Sequence, residues 1–74
     1  MSGPSAVRTP VESSVLASIE YSNDQTLKLY FRSGATYRYF EVPESVVEGL
    51  LAHESKGSYF NRHVRNRFRY QRVS

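Results

Sequence analysis

The chain has 74 residues, with ten Lys or Arg against seven Asp or Glu, six Tyr, four Phe and neither Cys nor Trp. That excludes more than one domain, a disulfide framework, a thiolate metal site and a thiol nucleophile. No stretch approaches the roughly 18 apolar residues of a membrane span and no apolar run marks a signal peptide, so the reading is a cytoplasmic protein without a membrane partner.

The net charge of +3 hides a division. Residues 1–54 hold four Lys or Arg against seven Asp or Glu, whereas residues 55–74 hold six against none. These basic last 20 residues point to an acidic partner, such as nucleic acid, an anionic membrane surface or an acidic protein patch, or are a solvated tail. A domain of this size buries only about 60% of its unfolded surface, so the core is small. Aromatic rings must supply much of it, and tyrosine suits a thin core because its hydroxyl can stay in water.

Residues 1–12 contain two prolines and a glycine without a sustained period, which predicts a flexible arm tied down at most near its end. Residues 13–74 are read as one domain. From Ser13, the sequence alternates Val15, Ala17, Ile19 and Tyr21 on one side against Leu16, Ser18 and Glu20 on the other, the pattern of a half-buried strand. Ser22-Asn23-Asp24-Gln25 is turn material. Leu27, Leu29 and Phe31 then alternate with Lys28, Tyr30 and Arg32 in a central strand, and Gly34 supplies the second turn. The third strand covers residues 36–42. Tyr37 and Tyr39 are expected inward beside the leucines, which puts Lys28, Tyr30, Arg32, Arg38 and Phe40 on the opposite face. A one-residue slip exchanges the two sets, so the alternative stays open.

Pro43 ends that strand, and either Pro43 or a capping box of Ser45 and Glu48 starts a helix with Val46, Val47, Leu50 and Leu51 on its apolar side. Gly49 inside it hints at the close approach of another backbone. Gly57 reads as a left-handed terminator and Ser58 as the cap of a second helix, in which Phe60, Val64 and Phe68 form a core stripe. Arg62, Arg65 and Arg69 share a neighbouring stripe. The last turn has two readings, because residues 68–73 also alternate and fit an extended run along the sheet edge. The fold class is therefore α+β, a three-stranded antiparallel sheet packed on one face by two C-terminal helices in the order βββαα.

Ser13-Ser14 opening the first strand, Tyr21 closing it, Gly34 before Tyr37-Arg38-Tyr39, then Val42-Pro43 and finally Ser55-Lys56-Gly57-Ser58-Tyr59-Phe60-Asn61 resemble the KTSC domain family. This family is named from its place at the C-terminus of some lysyl-tRNA synthetases and also occurs as short bacterial proteins. The resemblance covers roughly residues 13–72. It implies one compact domain and a suggested RNA-binding role, and it transfers no catalytic residue.

The residues themselves point the same way. Exposed rings stack on unpaired bases while Lys and Arg meet phosphates, so Lys28, Tyr30, Arg32, Arg38 and Phe40 form one candidate nucleic-acid surface. Lys56, Arg62, Arg65 and Arg69 form a second, extended by Arg67 and Arg72, because guanidinium groups match phosphate geometry. The competing account is an ordinary polar sheet face, with Glu44, Glu48 and Glu54 neutralising the arginines. His53 and His63 lack metal-ligand spacing, and Ser58 near His63 is an N-cap serine before it is a nucleophile, so no enzyme and no cofactor is read. The expected partner is RNA, either tRNA or single-stranded. The alternative is a protein-interaction or homo-oligomerisation module using the open sheet.

Overall fold

The computed structural model describes residues 6–73. Five strands form one antiparallel sheet in sequential order: β1 (Ala6–Pro10), β2 (Leu16–Ser22), β3 (Leu27–Phe31), β4 (Thr36–Tyr39) and β5 (Tyr70–Arg72). Two helices, α1 (Glu44–Ala52) and α2 (Lys56–Tyr59), lie between β4 and β5, and α2 runs on into one π-helical turn, Phe60–Val64. The α+β class stands, but the sheet has five strands rather than three. Both additional strands are at the edges, where pairing with a neighbour outweighs weak local pattern. β1 comes from the N-terminal arm, of which residues 1–5 lie outside the described residues.

Both predicted hairpins have the same turn. Gln25 and Gly34 each donate an amide proton three residues back, to Ser22 and Phe31, and each has positive φ, 66° and 98°. This is a type I turn closed by a left-handed residue, which glycine tolerates best. The Asp24 carboxylate reinforces the first by accepting from the Thr26 amide at 3.1 Å.

The facing predicted for the first strand is corrected. Leu16 and Ile19 are both fully buried, whereas Val15 is exposed. A register shift between Leu16 and Ser18 inserts Ala17 as a bulge, so parity changes partway along β2. An extra residue on one strand switches the side that follows, which strict alternation cannot anticipate.

The core joins Leu16 and Ile19 of β2 and Leu27 and Leu29 of β3 to Tyr39, Val42, Val47, Leu50, Phe60 and Val64. Tyr39 pairs with Leu27 and Tyr37 with Leu29, so both tyrosines share the helix side of the sheet with the leucines. Pro43 is the N-cap of α1, and no side-chain bond caps that helix, so the Ser45–Glu48 box does not form.

The second helix is shorter than its periodicity implies. Arg65 leaves helical geometry with ψ 129°, and Asn66 follows with φ 63°. Phe68 still reaches the core, but from the return loop. Gly57 does not terminate a helix; it lies inside α2, where an added Cβ would meet Val15 Cγ2 at 3.1 Å. Gly49 likewise admits a close neighbour, but a side chain rather than a backbone: its built Cβ lies 2.7 Å from Tyr59 Cζ.

Candidate nucleic-acid interface

Residues paired directly across strands point to the same side of a sheet. Arg8, Glu20, Lys28, Arg38 and Gln71 therefore form one row across all five strands on the side away from the helices. Ser18, Tyr30 and Thr36 form the next. The centre of this face is already engaged. The Arg8 guanidinium lies 3.8 Å from the Tyr30 ring centroid, its Nε donates to Ser18 Oγ at 2.9 Å, and the Tyr30 hydroxyl donates to Glu20 Oε1 at 2.7 Å. Lys28 Nζ approaches the same ring at 5.4 Å. Tyr30 is thus stacked by a cation of its own chain, and Arg8, outside the predicted set, is the residue that sequence reasoning missed. Its signal lay in a strand disguised by prolines.

Toward β5 the face is more open. Arg38 sits between Lys28 and Gln71, and Phe40 follows, half-buried, with the Arg69 guanidinium 5.9 Å from its ring centroid. The Phe40 amide donates to the Arg69 carbonyl at 3.0 Å, which fastens the return loop to the end of β4. Lys28, Arg38, Phe40 and Arg69 are therefore neighbours although Arg69 is remote in sequence.

The remaining predicted residues lie elsewhere. Arg32 is exposed beyond β3, and its Nε donates to the Ser13 carbonyl, bracing the loop before β2. Lys56 donates Nζ to the His53 carbonyl at 2.7 Å. Arg62 and Arg65 are exposed and border a groove of about 820 Å³ between the Ser13–Val15 loop and α2. Arg69 is separated from them because the helix ends at Val64, so the predicted arginine stripe is not continuous.

Two tyrosine hydroxyls are held neutral. Burial, aided by the charges of Glu44 and Asp24, raises the Tyr21 pKa, and its hydroxyl donates to the Val42 carbonyl at 2.6 Å. Burial against Tyr37 and Tyr70 pushes Tyr39 up to about 12, opposed by nearby Arg65. No helix among the described residues is long and apolar enough to cross a membrane.

The KTSC domain model matches residues 12–68. A lysine–tRNA ligase of Nostoc punctiforme is 41% identical over 64 residues, covering 85% of this chain but only 11% of the ligase. A protein of Tsukamurella paurometabola is 49% identical over 61 residues, covering 81% of this chain and 91% of its own length. The crystal structure of a KTSC domain protein from Yersinia pestis superposes with a TM-score of 0.89 at 31% identity, covering 95% of this chain and all of the other. The span matched by the family model and the common fold place this chain in the KTSC domain family.

Proposed function

We propose that this chain is a non-catalytic, cytoplasmic RNA-binding module that contacts tRNA or another RNA with unpaired bases. The observation that carries the reading is the strip of Lys28, Arg38, Phe40 and Arg69 on the open side of the sheet, where Lys28 pairs with Arg38 and the Arg69 guanidinium lies by the half-buried Phe40 ring, with Glu20 and Asp24 lining the same hollow as Lys28, Arg38 and Phe40. Cations beside an accessible aromatic ring suit phosphates flanking a stacked base. Exposed Arg62 and Arg65 supply further phosphate contacts. The ligase relatives lend an RNA context, since this domain forms a small part of a protein named for its action on tRNA.

The test is fluorescence anisotropy of labelled tRNA and of a mixed single-stranded RNA across a salt series. A slope of log affinity against log salt of about −2 to −4 is expected, corresponding to roughly three to five neutralised phosphates. Arg38→Glu is expected to weaken binding about tenfold and to flatten the slope by roughly one. Flat anisotropy at low salt, or binding indifferent to salt, overturns the reading in favour of a protein-interaction module.

A further inference from the structure

The helices do not cover their side of the sheet to its edge. Along one cross-strand direction Leu27 is 0% exposed, Tyr39 4% and Tyr70 57%. Beyond the helices lies an aromatic cleft of about 400 Å³ lined by Phe31, Tyr37, Tyr39, Phe60 and Tyr70. Its rings form a continuous cluster, with Phe31–Phe60 centroids at 5.5 Å, Tyr39–Tyr70 at 5.5 Å and Tyr37–Tyr70 at 5.8 Å. Arg65 and Asn66, in the turn that ends the helical run, form its rim.

This cleft adjoins the larger groove beside α2, because Phe31, Phe60 and Arg65 line both. The larger groove has a mixed lining, with Val15, Phe31 and Phe60 forming its apolar part. Ser14, Asn61 and Arg62 face it, and Glu54 is its sole acidic lining residue among the described residues. Among the described residues neither the Arg62 nor the Arg65 guanidinium has a hydrogen-bond or ion-pair partner. Its wall is held in place: Ser13 Oγ accepts from the amides of Val15 and Leu16, and Arg32 braces the Ser13 carbonyl.

We propose that the joined hollows form a nucleotide site, with a planar base over the aromatic cleft and its phosphate in the serine- and arginine-lined groove. Arg65 stands at the junction, where one guanidinium can reach the phosphate while its plane faces the base. The rings are too close for a base to insert between them, Tyr37 and Tyr70 are tilted by 52° to one another, and the Arg72 guanidinium already lies over Tyr37, so the base stacks on the exposed Tyr70 ring. Both volumes fall in the range of about 300–1,000 Å³ typical of small-ligand sites. An acidic peptide would match the arginines but leave the exposed Tyr70 ring unused. The natural source is an unpaired RNA nucleotide, and for that source the inference rests on the RNA-binding reading. The site lies on the side of the sheet opposite the Arg38–Phe40 strip.

The experiment titrates AMP, UMP, adenosine and inorganic phosphate into isotope-labelled protein and follows amide chemical shifts. The nucleotides are expected to move Ser14, Asn61, Arg65, Asn66 and Tyr70 together, phosphate only the first three, and adenosine only the last two. Tyr70→Ala and Arg65→Gln, with thermal unfolding checked, are each expected to abolish the nucleotide shifts. Tyr70→Ala should also lower single-stranded RNA affinity about fivefold or more. Nucleotide shifts that are absent, or that persist in Tyr70→Ala, overturn the nucleotide site, and RNA binding that Arg38→Glu still weakens then leaves the RNA reading intact. Nucleotide shifts at these residues without any RNA binding retain the site and overturn the RNA reading.

Discussion

Gly49 stands where the Tyr59 ring crosses α1, and the ring continues outward as a stack with His63 at 4.4 Å and His53 at 5.6 Å. Gly49→Ala restores a good helix former yet drives a methyl into that ring. The clash outweighs the propensity gain, and a loss of about 1–3 kcal/mol in urea unfolding is expected. In a Tyr59→Ala background the same change should be neutral or stabilising, a coupling that a double-mutant cycle resolves. Gln25 presents the reverse case. It occupies with φ 66° the position that Gly34 fills in the next hairpin, so Gln25→Gly should stabilise the domain by up to about 1 kcal/mol without changing the urea m-value. Tyr39 adds a pH dependence. Its folded pKa of about 12 exceeds the ordinary value of 10.0, so the native state holds the proton longer than the unfolded chain. The resulting stability is fully present below pH 10 and lost as pH rises through 12, which alkaline unfolding and the 295 nm tyrosinate absorbance will follow together.

At the level of elements, the legible part of the fold is the part with local cause. The two hairpins announce themselves through turn chemistry, and Leu27, Leu29, Tyr37 and Tyr39 share a side, the favoured one of the two facings that the alternation allows. What stays hidden depends on partners distant in sequence. The Ala17 bulge is invisible until Leu16 must meet Phe31, whereas β5 is half-legible: residues 68–73 read as a last helical turn or as an extended edge run, and the turn at Asn66 selects the second. The candidate site divides the same way. Lys28, Arg38 and Phe40 follow from strand parity, whereas the Arg69 contact and the Arg8 cover on Tyr30 arise from docked edges. These edges are poor templates for another chain: β5 has three residues and β1 ends at a proline. Removing the chain beyond Arg69 should expose the Tyr39 ring and lower the melting temperature by several degrees, with its pKa returning toward 10.0.

For the molecule as a whole, the strand order coincides with the chain order. Every pairing up to β4 joins sequence neighbours, and only β4 with β5 must enclose both helices. Such a chain folds through local closures, with one long loop left for the end. Tyr70 substitutions should therefore accelerate unfolding while leaving the refolding rate nearly unchanged, a pattern read from the two arms of a stopped-flow chevron. The last strand to dock is also a wall of the aromatic cleft, so the four-stranded body assembles first and the cleft is completed in the final step. Native-state hydrogen exchange should find β5 opening below the global unfolding free energy, and a ligand seated over Tyr70 should slow that opening.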